Sequence, residues 1–160
     1  MLYETQNPHG GDVYGMEVRL DFSSNVNPLG PPPSVISAMQ RACAQVRQYP
    51  DPYCRALTRA IAAHEGVPEQ SVLCGAGAAE LIYAFCDAVR ARNALTLAPT
   101  FSEYAAAFCH FGGQMHTFPL HWEDGFLPQH TLLQAIEELH PDVLFLCTPN
   151  NPTGRLFPQA

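Results

Sequence analysis

The chain has 160 residues, 47% of them hydrophobic and 14% charged, a composition that suits a globular domain with one core and excludes general disorder. Its net charge is -7, and all eight basic side chains are arginines scattered from Arg19 to Arg155, so no basic patch is present to hold a nucleic-acid backbone. The first twenty residues lack a basic start and a secretory apolar stretch, and no later run nears the roughly 18 apolar residues of a membrane span. The reading is therefore cytoplasmic, with neither nucleic acid nor membrane as a partner.

Six cysteines, Cys43, Cys54, Cys74, Cys86, Cys109 and Cys147, occur without any C-x-x-C pair. No metal site is expected of them, and buried reduced thiols are. Lysine is absent altogether. Compositional bias readily exchanges surface lysine for arginine, but it does not remove a lysine that a covalent cofactor requires.

In chain order, Met1 to Val18 has weak periodicity and reads as an arm carrying His9-Gly10-Gly11. Leu20 to Phe22 suggests a short extended segment, followed by Asn25-Val26-Asn27-Pro28-Leu29-Gly30-Pro31-Pro32-Pro33, where three successive prolines favour an extended loop. Ser34 is placed to cap a helix whose Val35, Ile36, Met39, Ala42, Cys43 and Val46 recur at helical spacing, ending before Tyr49-Pro50-Asp51-Pro52. A second helix is expected from about Tyr53 to Glu65, with Leu57, Ala60, Ile61 and His64 on one side and Gly66 as its stop. There His64 reads as a helix-end histidine rather than a ligand.

From Ser71 onward short apolar runs alternate with helical patterns. The runs are Val72 to Cys74, Ala94 to Ala98, Met115 to Leu120 and Val143 to Cys147; the helices are Ala78 to Arg90, Phe101 to Phe111 and Pro128 to Leu139. This alternation predicts an α/β layered sheet, at least partly parallel. The sequence ends six residues after Gly154, before a helix could cover the last strand, so the domain is expected to be incomplete.

Three turns carry candidate chemistry. Leu73-Cys74-Gly75-Ala76-Gly77-Ala78-Ala79-Glu80-Leu81 opens a helix through small residues, so free N–H groups and the positive helix end can attract a phosphate. The same turn could serve packing alone. A dinucleotide site is disfavoured, because Glu80 stands where that pattern needs a small residue and Leu95 to Pro99 ends without a ribose-binding acid. Phe101, in Pro99-Thr100-Phe101-Ser102-Glu103-Tyr104, follows a strand and suits either stacking on a planar cofactor or a place in the core. In Thr148-Pro149-Asn150-Asn151-Pro152-Thr153-Gly154 two prolines fix a turn, from which an asparagine can donate to a phenolate-like oxygen.

One turn for phosphate, one for ring stacking and one for a ring oxygen describe a pyridoxal-phosphate pocket. With Cys147-Thr148-Pro149-Asn150-Asn151-Pro152-Thr153-Gly154 and the order of all three motifs, the chain resembles the class I/II aminotransferase family over essentially its whole length. Within it the resemblance is to the branch of threonine-phosphate decarboxylase and histidinol-phosphate aminotransferase. It implies pyridoxal 5'-phosphate as cofactor, an N-terminal arm with part of the large cofactor-binding domain of a fold type I aminotransferase, and homodimers with shared sites. It places the phosphate on Gly77, Ala78 and Ala79, the ring on Phe101, the 3-oxygen on Asn151, and Tyr49 at the phosphate from across the dimer interface. The N-terminal pattern, His9-Gly10-Gly11 with Leu20-Asp21-Phe22-Ser23-Ser24-Asn25, looks like the decarboxylase, which acts on a phosphorylated amino acid in cobalamin biosynthesis. That likeness assigns His9, Gly10 and Asn25 to the substrate. Residues 1–33 are then arm and substrate loops, and residues 34–160 the first part of the large domain.

Such enzymes also need a Schiff-base lysine, an aspartate at the pyridine nitrogen and an arginine for the substrate carboxylate. The resemblance puts all three after the Asn-Pro-Thr-Gly turn, where this chain has only Arg155 to Ala160. No catalytic residue is therefore assigned within the chain. It is expected to be a truncated piece of an enzyme, with a non-catalytic binding module as the alternative.

Overall fold

The computed structural model describes residues 10–15 and 17–157. The chain divides into two compact units, Met1–Ala60 and Ile61–Ala160.

In the first unit, α1 spans Pro33–Ala42 and runs into a single 3-10 turn, Cys43–Gln45. Its cap is Pro32 rather than the expected Ser34. Pro33 has no N–H to leave unsatisfied and a φ already suited to a helix, so the proline run starts the helix instead of only preceding it. The main-chain N–H of Val35 and of Ile36 both donate to Pro32 O, at 2.9 and 3.2 Å. The apolar set Val35, Ile36, Met39 and Val46 is exposed. Leu20 to Phe22 forms no strand. Asp21 instead takes the Ser23 N–H at 2.7 Å and the Ser23 hydroxyl at 2.6 Å, a local side-chain turn that competes with extended pairing.

Helix α2 spans Arg55–Glu65, two residues later than expected. The delay is a capped turn: Asp51 accepts the N–H of Tyr53 at 3.1 Å and of Arg55 at 2.9 Å, and Cys54 sits at φ 47. These two bonds hold the Asp51 carboxyl below its ordinary pKa. Gly66, at φ 68, ends the helix as the sequence suggests.

In the second unit a parallel sheet of three strands has the order β2-β1-β3: β1 Asn93–Ala98, β2 Gln114–Pro119, β3 Val143–Phe145. The register pairs Ala94 with Met115 and Val143, and Thr96 with Thr117 and Phe145. As the central strand, β1 is buried from Ala94 to Leu97, as a strand covered on both faces must be. Helices α3 (Ala78–Val89), α4 (Glu103–His110) and α5 (Thr131–Leu139) alternate with the strands. On one face Cys86 of α3 and Ala107 and Phe108 of α4 pack with Ala94 and Phe145 as the core, with Ile82, Tyr83 and Tyr104 against it. On the other, Leu95, His116 and Phe118 meet Ala135, Glu138 and Leu139 of α5 around a cleft of about 290 Å³. This is the expected α/β/α layering.

Two further expectations need correction. Val72 to Cys74 is extended at Val72 (φ -115, ψ 123) but belongs to no sheet among the described residues, and an extended run becomes a strand only through the ladder bonds of a neighbour. The cysteines form no disulfide, but only Cys86 is buried; Cys43 and Cys109 are exposed and the rest intermediate. They fall on helix faces and loop ends that the described residues leave uncovered. No helix among the described residues is long and apolar enough to cross a membrane.

Candidate functional site

The site is built from the loops that leave the carboxyl ends of β1 and β3. These strands are neighbours, so the residues following Ala98 and those following Phe145 emerge side by side although some fifty residues separate them in sequence. The pairing ends at Thr96 and Phe145. Beyond it, Asn150 joins the two loops. Its Oδ1 accepts the Thr100 hydroxyl at 2.8 Å, and its Nδ2 donates to Pro99 O at 3.0 Å and to Thr153 Oγ1 at 2.9 Å. The residue is 2% exposed, so its amide is spent on the protein.

The two adjacent asparagines thus differ in kind. The side chain of Asn151 makes no hydrogen bond to another described residue, and it is only half-buried. Its backbone N–H donates to Cys147 Sγ at 3.5 Å, while the Cys147 thiol donates to Pro149 O at 3.4 Å. The Tyr104 hydroxyl also meets Cys147. Burial first, and then this contact, push the Tyr104 pKa up to about 12. Phe101 stands half-buried before α4 with its ring edge-on to Tyr104, centroids 5.8 Å apart. Tyr104 in turn stacks on Phe145 at 5.1 Å, so Phe101 rests on an aromatic tier anchored in the core.

At the start of α3, Gly77 is the N-cap at φ 108, a conformation that favours glycine, and no side chain among the described residues caps the turn. Ala78 and Ala79, as the first two helical residues, have N–H groups with no acceptor inside the helix. Glu80 folds back to accept the Ala76 N–H. Its carboxylate so takes up the front of the turn: a Cβ built on Gly75 would meet Glu80 Oε2 at 2.8 Å. What remains open to an anion is the stretch Gly77 to Ala79, all exposed.

The other expected residues lie in the first unit. Gly10 approaches Ser23 so closely that a Cβ on it would stand 1.7 Å from Ser23 O, and Gly11 N–H donates to Ser23 Oγ at 2.8 Å. The glycine pair is thereby held against the segment two residues before Asn25, which is exposed. His9 lies outside the described residues. Tyr49 is 99% exposed, on an open groove that Asp51 and Arg55 also line.

Sequence reasoning overlooked Asn150, Thr100, Thr153 and Glu80. Asn150 could not be told from Asn151 by position, and Glu80 entered only as the residue that spoils a dinucleotide pattern. A capping signal was available for Glu80, since it stands three residues after the N-cap.

The family described as Aminotransferase class I and II matches residues 17–160. A threonine-phosphate decarboxylase of Salmonella typhimurium is 40% identical over 158 residues, an alignment covering 92% of this chain and 43% of the relative. A histidinol-phosphate aminotransferase of Anoxybacillus flavithermus is 34% identical over 149 residues, covering 92% of this chain and 39% of that one. Among solved structures, a histidinol-phosphate aminotransferase of Sinorhizobium meliloti in complex with pyridoxal-5'-phosphate superposes with a TM-score of 0.72 at 25% identity, over 81% of this chain and 35% of that one. The chain spans about two fifths of the length of the curated relatives it matches.

Proposed function

The chain belongs to the aminotransferase class I and II family, and from that premise we propose that it is the N-terminal part of a pyridoxal-phosphate enzyme acting on a phosphorylated amino acid, a threonine-phosphate decarboxylase. The observation that carries the decarboxylase reading is the 40% identity to the Salmonella typhimurium enzyme across 92% of this chain. Histidinol-phosphate aminotransferase is the second reading, supported by 34% identity over a similar stretch.

The residues present fit the cofactor's phosphate and ring. The first turn of α3, which no described side chain caps, offers N–H groups to a phosphate, and no described residue engages the Asn151 amide. When bound, pyridoxal phosphate supplies an electron sink for negative charge at the substrate's Cα. In this reading Gly77, Ala78 and Ala79 hold the phosphate, Phe101 lies against the ring, and Asn151 donates to the ring oxygen and holds its charge. Tyr49 reaches the phosphate across a homodimer interface, for which its full exposure leaves it available. His9, Gly10 and Asn25 bind the phosphorylated substrate. Residues 1–33 then serve as arm and substrate loops, 34–160 as the first part of the large domain, in a cytoplasmic enzyme of cobalamin biosynthesis. The amine that anchors the cofactor is not among these 160 residues, which contain no lysine.

The test is an assay of the full-length protein with threonine phosphate and with histidinol phosphate. Release of carbon dioxide from threonine phosphate is the expected result. Amino transfer from histidinol phosphate, without decarboxylation of threonine phosphate, would replace it with the second reading.

A further inference from the structure

We propose that Asn150 is a positioning residue, whose buried carboxamide sets Phe101 and Asn151 relative to one another by clamping the loop after β1 to the loop after β3. The inference rests on the reading of Asn151 and Phe101 as groups that hold the cofactor ring.

The sheet alone does not fix this spacing. The β1–β3 ladder stops at Thr96 and Phe145, five residues before Phe101 and six before Asn151. The described hydrogen bonds joining residues 97–102 to residues 146–157 are the two made by the Asn150 side chain, to Thr100 Oγ1 and Pro99 O. Thr100 is covalently next to Phe101, and Asn150 next to Asn151. The same residue braces its own loop. Its N–H donates to Arg155 O at 2.8 Å, its carbonyl accepts the Gly154 N–H at 2.6 Å, and Nδ2 reaches Thr153.

The chemistry requires an amide. Aspartate would keep an acceptor for Thr100 but set a carboxylate oxygen against the Pro99 carbonyl, acceptor facing acceptor. Leucine would leave Pro99 O and both threonine hydroxyls without the partner that now joins them. The site so uses two consecutive asparagines for opposite purposes, one turned into the protein and one left for a ligand.

The experiment compares Asn150→Asp, Thr100→Val and Asn151→Ala, singly and combined, in the full-length protein. Cofactor affinity and the pH titration of the bound cofactor's visible band are read together. Asn150→Asp and Thr100→Val should each weaken cofactor binding about tenfold, on the scale of one or two lost hydrogen bonds. Each should shift the midpoint of the visible band in the same direction as Asn151→Ala. In the Asn151→Ala background neither should shift that midpoint further, since the donor they position is gone. A merely structural role would lower the melting temperature and leave the midpoint unmoved, and that result overturns the proposal. So does a further shift in the Asn151→Ala background. Should Asn150→Asp fail to fold, Thr100→Val, which removes a single bond from a half-buried position, decides alone. If Asn151→Ala changes neither affinity nor spectrum, the reading of Asn151 itself fails, and the clamp has nothing to position.

Discussion

The Asp142 carboxylate accepts the main-chain N–H of Asn93 at 3.0 Å, and the same oxygen takes the N–H of Arg92 at 3.0 Å. With the Asp142 N–H donating to Asn93 O at 3.0 Å, this ties the turn before β3 to the start of β1 at the end of the sheet opposite the site. The Asn93 and Arg92 N–H groups hold the Asp142 carboxyl below its ordinary value of 3.8. A lowered folded pKa means that the contribution is complete above the ordinary value and is lost as pH falls through the folded one. Asp142→Asn should therefore lower the melting temperature at neutral pH and flatten its acid dependence. The wild-type and variant curves should converge in strong acid, and thermal melts across the acid range check this.

Tyr104 should ionise well above the ordinary tyrosine value. Its hydroxyl is pushed to about 12 from an ordinary 10.0, chiefly by burial and then by Cys147. Because the folded value is raised, the stability Tyr104 contributes is whole below pH 10 and disappears as pH rises toward about 12. Ultraviolet difference titration should lose its highest-pH component in Tyr104→Phe, and the variant should show a weaker alkaline decline of stability. An unchanged high-pH component would assign it to another tyrosine.

Gly113→Ala should destabilise the chain by about 1–3 kcal/mol, the usual range for forced overpacking. A Cβ there would stand 2.3 Å from Cε1 of Phe108, and that ring is 3% exposed within the core and has nowhere to move. Gly15→Ala is the control, since no described residue lies within 4 Å of its Cβ position. Denaturant unfolding of both variants separates the local clash from a general intolerance of alanine for glycine.

Incubation with pyridoxal phosphate and borohydride reduction should leave no pyridoxyl group on any internal peptide of this chain. The imine needs a primary amine, and the eight basic side chains are all arginines that stay protonated at any useful pH. Any binding by the chain itself is then non-covalent, and under the function proposed above it runs through Gly77 to Ala79, Phe101 and Asn151. Peptide mass analysis gives the answer, and an adduct on an internal residue would refute the argument. An adduct on the terminal amine would be ordinary amine chemistry.

The sequence by itself determined the layered α/β class, because the apolar runs at β1, β2 and β3 and the helical periods between them are local signals within a few residues. It also located the two loops after β1 and β3 and the turn before α3, since proline and glycine announce turns wherever they fall. Tertiary structure alone decided what depends on a distant partner. Val72 to Cys74 has the composition of a strand, yet a strand exists only where a neighbour completes its hydrogen bonds. Asn150 and Asn151 are chemically identical in the sequence. Only the arrival of Pro99 and Thr100, brought from fifty residues away by the β1–β3 pairing, buries one amide and leaves the other open.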